Sequence, residues 1–164
     1  MSPGDGWDPI SLQVATGALR AACEEMGAVL VRSAHSANIK ERRDASTALF
    51  DSRGQMVMQA EHIPVHLGAM PFAVAGRLLL VDHLGDAWIL NDPFRGGTHL
   101  PDITVVTPIL DADTTLLGFS ASRAHHADVG GRVPGSMPFD SRTPSGISAM
   151  RARVRRSAES STSA

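Results

Sequence analysis

Apolar residues recur at three- and four-residue intervals from Ile10 to about Val31, the period of one helix face. Asp8 followed by Pro9 supplies the start. An aspartate carboxylate can accept from the first orphan amides, and proline in the first turn gives up no bond that a helix would have made. After this helix the runs STALF and MVMQA flank Asp51, Ser52, Arg53 and Gly54, which predicts a hairpin with glycine at its tight position. From His66 to His83, Leu, Ala, Met and Val return to helical spacing, with Pro71 near the start, where a helix tolerates it. DAWILND, ITVVTPIL and TLLGFSASRA then read as strands, the last two joined across Asp111 to Thr114. Helix, hairpin, helix and then mainly antiparallel strands make an α+β fold and not a regularly alternating α/β one.

Composition narrows the class without naming a function. A chain of 164 residues can bury a real core, and 43% hydrophobic with 20% charged residues is ordinary globular usage. No apolar run reaches bilayer length and the opening MSPGDGWDP has no secretory pattern, so a soluble, cytoplasmic protein is expected. Cys23 is the single cysteine, set among small residues in the first helix, and reads as a packing residue and not a nucleophile. Charge is unevenly spread. From Ser141 onward five arginines against Glu159 leave +4, so the remainder carries −6 of a total of −2. That tail lacks aromatic residues and ends SAESSTSA, the composition of a disordered, solvated segment and not of a nucleic-acid surface. The chain also lacks GxxxxGK[ST], GxGxxG and GxSxG, so it offers no recognisable ATP cradle or serine elbow of its own.

Candidate chemistry gathers in two glycine-rich loops. NDPFRGGTHLPD, residues Asn91 to Asp102, lies between two predicted strands; Pro101 steers Leu100 away from helix, so His99 and Asp102 are expected on extended backbone. RAHHADVGG, from Arg123 to Gly131, repeats the His-x-x-Asp spacing with His125 and Asp128. Two imidazoles and two carboxylates on neighbouring strand ends suit a divalent ion such as Mn²⁺, Fe²⁺ or Zn²⁺; without a thiolate there is no pull toward a structural zinc site. The same residues in glycine-rich turns can equally cap strands and bond local backbone. His62 and His66 stand four apart across Pro64 and need not share a face; helix-start hydrogen bonding is their ordinary role. NIKERRDAS, from Asn38 to Ser46, reads as a solvated charged surface, or else as a grip on an anionic substrate or partner.

Taken together, IKERRD with ALFD, QAEHIPVHLGAM, LNDPFRGGTHLPDITVVTP and RAHHADVGGRVPGSMP resemble, in order and spacing, the hydantoinase B and oxoprolinase family. The resemblance covers roughly Asp8 to Asp140 and implies a subunit of an ATP-dependent enzyme that hydrolyses a cyclic amide ring. It implies a hetero-oligomer with a hydantoinase A-type partner that binds the ATP. It implies His99, Asp102 and His125 as metal ligands, with His66 and Asp128 as further residues of the active site. The segment 141–164 departs from the family pattern. The expectation is therefore a family-like domain over residues 1–140, an Arg- and Ser-rich tail after it, and only the N-terminal portion of a larger fold. The alternative is a non-catalytic interaction fragment that completes no active site.

Overall fold

The computed structural model describes residues 7–61, 66, 68–78, 87–130, 133 and 135. Expectations placed on His62, on residues 79–86 and on the tail at 141–164 lie outside them.

Helix α1 spans Pro9–Ser33 and begins as its sequence dictates: the Asp8 carboxylate accepts from the amides of Ile10 at 3.0 Å and Ser11 at 3.1 Å. Its C-terminal half packs on the first hairpin, where Thr47 donates to the Cys23 carbonyl at 2.7 Å. Cys23 is fully buried, and burial pushes its thiol up, away from the reactive thiolate, in keeping with a packing role. The short helix α2, Ala37–Lys40, was not anticipated, because charge dominates its sequence. Ile39 escapes that character: it is buried with Ala45 and Ala124 in a small cluster closed by Leu30, Val31 and Ala34. Among the described residues no helix is long and apolar enough to cross a membrane.

Strands β1 (Ala45–Asp51) and β2 (Met56–Glu61) form the expected hairpin. Asp51 organises the turn, its carboxylate accepting from the amides of Arg53 at 2.9 Å and Gln55 at 2.8 Å. Helix α3 runs Met70–Leu78, four residues later than its predicted start at His66. Pro71 explains the shift. A helix begun at His66 would place Pro71 beyond the first turn, where its ring meets the carbonyl four residues back; begun at Met70, the proline falls where no amide is needed.

Strands β3 (Trp88–Leu90), β4 (Asp102–Leu110) and β5 (Leu116–His125) complete one antiparallel sheet in the order β2-β1-β5-β4-β3. The register pairs Phe50 and Pro108 with Phe119, Ala48 and Val106 with Ala121, Ser46 and Thr104 with Arg123, and Asp102 with His125. Alternation puts all of these on one face. At one end of that face Ala48, Phe50, Trp88, Leu90, Val106, Phe119 and Ala121 pack with Met70, Ala73 and Val74 of α3 as the main core. Each large side chain there contributes about 1.5–3 kcal/mol by leaving water. At the other end the same face turns polar, with Ser46, Thr104, Arg123, Asp102 and His125. Helix α1 covers part of the opposite face, over β1 and β2.

Gly118 sits where β5 meets β1 so closely that a Cβ would lie 2.1 Å from the Phe50 carbonyl oxygen. Replacing it with alanine has to spread the central ladder. Gly118→Ala is expected to lower unfolding free energy by about 1–3 kcal/mol in urea titration, whereas Leu117→Ala at the exposed neighbour changes it by less than about 0.5 kcal/mol. Equal stability of the two variants would contradict the close approach.

Candidate metal centre

Asp102 opens β4 and His125 closes β5, and the register sets them directly opposite each other. Nδ1 of His125 lies 2.5 Å from Oδ1 of Asp102. The other carboxylate oxygen gathers the preceding loop. It receives the hydroxyl of Thr98, the backbone amide of His99 at 2.8 Å and Nδ1 of His99 at 3.0 Å. The two imidazoles meet edge to face, centroids 5.7 Å apart and planes at 83°. Each of the three residues offers a ligand atom within 4.8 Å of the others'. Ligands held about 2.1 Å from one ion stand at most about 4.2 Å apart, so the set needs only a small contraction to share one. Exposure is graded across the group: the Asp102 side chain is fully buried, His125 is 24% exposed and His99 56%. The carboxylate forms the floor and His99 the solvent side.

The structure thus brings together three of the four residues of the paired His-x-x-Asp motifs and leaves the fourth apart. Asp128 stands in the exposed loop after β5, where its oxygens accept from the amides of Gly130 at 2.7 Å and Gly135 at 3.1 Å. His99 differs from expectation in its backbone. It occupies a bend that closes onto Asp102, whose amide donates to the His99 carbonyl at 2.9 Å, and only Asp102 is extended.

His66 is buried, 1% exposed, with Nδ1 at 3.0 Å from the Ser46 hydroxyl and Nε2 at 3.8 Å from Asp44. It therefore bonds across to β1. Burial holds its imidazole below the usual range; the charge of Asp102 opposes that, Arg123 adds to it, Asp44 opposes it and His125 adds to it. His126, beside the pair, is held down in the same way, by burial and then by His125.

Two participants were not singled out from sequence. Asp44, the last acid of the charged run, accepts the His125 amide at 3.0 Å through its carbonyl and so steadies the β5 end. Arg123 is fully buried, donating from Nε to Thr104 Oγ1 at 2.7 Å and from Nη2 to the Gly96 carbonyl at 2.6 Å, while Nη1 has no partner among the described residues. A clue was available: Arg123 is two residues from His125 in an alternating strand, which puts both on one face.

Residues 8–146 match the model of the hydantoinase B/oxoprolinase family. The chain belongs to that family. Its relatives include the 5-oxoprolinase of Saccharomyces cerevisiae, 46% identical over 138 residues, an alignment covering 82% of this chain and 11% of the yeast protein. A putative D-/L-hydantoinase component from a Pseudomonas strain is 38% identical over 136 residues, covering 79% and 23%. Among solved structures, the ATP-dependent caprolactamase of Pseudomonas jessenii superposes with a TM-score of 0.68 at 32% identity, covering 80% of this chain and 23% of that one. The chain thus spans between about a tenth and a quarter of the length of these proteins.

The depressed imidazoles imply an acid-sensitive fold. Between the folded pKa of His66 and its ordinary value of 6.5 the unfolded chain binds more protons. Stability is therefore complete above pH 6.5 and falls as pH drops through that window. Urea unfolding between pH 7 and 5 is expected to show a shallower decline for His66→Gln than for the parent chain, with His126 keeping its own share. Identical slopes would show that His66 is not held neutral by the fold.

Proposed function

We propose that His99, Asp102 and His125 form the divalent metal site of a subunit that opens a cyclic amide ring, working with an A-type partner that binds ATP. The convergence of these three side chains carries the reading. Two imidazoles and one carboxylate without a thiolate suit Mn²⁺, Fe²⁺ or Zn²⁺ with coordination positions left open. When bound, such an ion polarises a carbonyl oxygen or lowers the pKa of a water molecule. With Nδ1 of both rings turned toward the Asp102 carboxylate, the Nδ1–H tautomers are favoured, and each Nε2 keeps the lone pair that ligation requires. In this arrangement Asp102 lies on the Nδ1 side of both rings, where its carboxylate orients them and strengthens their Nε2 atoms as ligands. His66 and Asp128 flank the centre: the neutral, buried imidazole joins β1 to the floor, and Asp128 holds the glycine loop beside His125.

The names of the relatives support the substrate class, since 5-oxoproline, hydantoins and caprolactam are all rings closed by an amide. Hydrolysis adds the oxygen of water to the ring carbonyl carbon and breaks the C–N bond, leaving a carboxylate and an amino group. The partner supplies the activation by ATP. The second reading is an interaction fragment that completes no active site by itself.

Mn²⁺ titration of the purified chain is expected to reveal one site, with Asp102→Asn and His125→Ala each weakening it by about 10–100-fold. Absence of saturable binding in the parent would end the metal assignment. The chain combined with an A-type partner and ATP is then assayed on 5-oxoproline and hydantoin. ATP-dependent ring opening that fails in Asp102→Asn supports the enzyme reading; copurification with the partner and no turnover supports the interaction reading.

A further inference from the structure

We propose that Arg123 is the positioning residue that sets His99 against the Asp102 and His125 pair by holding the Gly96 carbonyl of the preceding loop. The inference rests on reading the three residues as a metal site and adds a determinant of whether that site is assembled.

Asp102 and His125 face each other by strand register, but His99 arrives on the connection between β3 and β4. The far end of that connection is tied down by Asp102, through Thr98 and the His99 amide. Its near end turns at Gly96, at φ 93, packed so closely on α3 that a Cβ would sit 2.6 Å from the backbone of Ala73. Arg123 reaches this turn from the sheet. One arm of its guanidinium is fixed on Thr104 at 2.7 Å and another on the Gly96 carbonyl at 2.6 Å, two ladder positions from Asp102 and His125 and on the same face. Only a planar fork spans a strand hydroxyl and a loop carbonyl at once, which a lysine ammonium on a flexible stem does not reproduce. Space-filling does not explain the residue either. An apolar chain would fill the volume without burying an Nη1 that has no acceptor among the described residues, a cost that packing alone gives no reason to bear.

Hydrogen exchange on the full chain without metal tests the tie directly. In Arg123→Met and Arg123→Lys the amides of Gly97, bonded to the Asp92 carbonyl, and of His99, bonded to Asp102, are expected to exchange at least about tenfold faster, while those of β1 and β5 stay protected. Co²⁺ titration followed by absorption should show about tenfold weaker binding and an altered ligand-field spectrum. Unchanged loop protection in a folded Arg123→Met chain overturns the proposal. If that variant loses protection throughout β1 and β5, Thr104→Val, which removes only the Nε acceptor, decides instead: faster exchange at Gly97 and His99 supports the tie and no change overturns it. A parent chain that binds no Co²⁺ refutes the metal reading, while the exchange measurement still decides the role of Arg123.

Discussion

A buried carboxylate governs this structure. The Asp102 side chain is fully removed from solvent, and a charge in that position is tolerated only when donors surround it. They do: a threonine hydroxyl, a backbone amide and two imidazole nitrogens converge on its two oxygens. Those donors come from a loop and from the end of a different strand. Satisfying one acid therefore draws together the residues that make the candidate centre. Removing the acid would cost more than a ligand, because the loop bend at His99 and the β5 terminus at His125 are both bonded to it.

Register is what makes that meeting reproducible. Asp102 opposes His125 only because β4 and β5 pair as they do. A slip of one residue would carry both the polar end and the apolar core to the wrong face. The two demands reinforce each other, since Phe119, Ala121 and Val106 must face α3 for the core to close, and the alternation that puts them there also directs Arg123 and His125 inward. Hydrophobic packing at one end of the strands thus holds chemical groups in place at the other. Rigid elements supply two members of the group, which is the arrangement that keeps a site in one geometry.

Much of this was legible from sequence, for local reasons. Asp8 and Pro9 mark a helix start through their own covalent properties, and Asp51 makes its turn through its own side chain. The His-x-x-Asp spacings located two loops whose glycines and proline exclude regular helix. The less legible features depend on distance in the chain. Nothing near Asp102 says that His125 will be its cross-strand partner and that Asp128 will not join it. Ile39 in a charged run reveals its burial only once Ala45 and Ala124 are seen beside it. The late start of α3 could have been read, because Pro71 fits only the first turn, but apolar periodicity alone runs through it without interruption.

Arg123 shows why such residues escape a linear reading. Arginine is among the residues least often fully buried, so a lone one in a strand reads as surface. Its cost is recovered only in three dimensions, by a strand hydroxyl and a loop carbonyl that no spacing rule connects. Yet the alternation of β5 already places Phe119, Ala121, Arg123 and His125 on one face, which leaves the arginine two alternatives: to be buried with its main donors bonded or to break the core. That constraint is available from the pattern itself. A charged residue in phase with a strand's apolar positions, next to a candidate ligand, is better read as part of the site's support than as an error in the pattern.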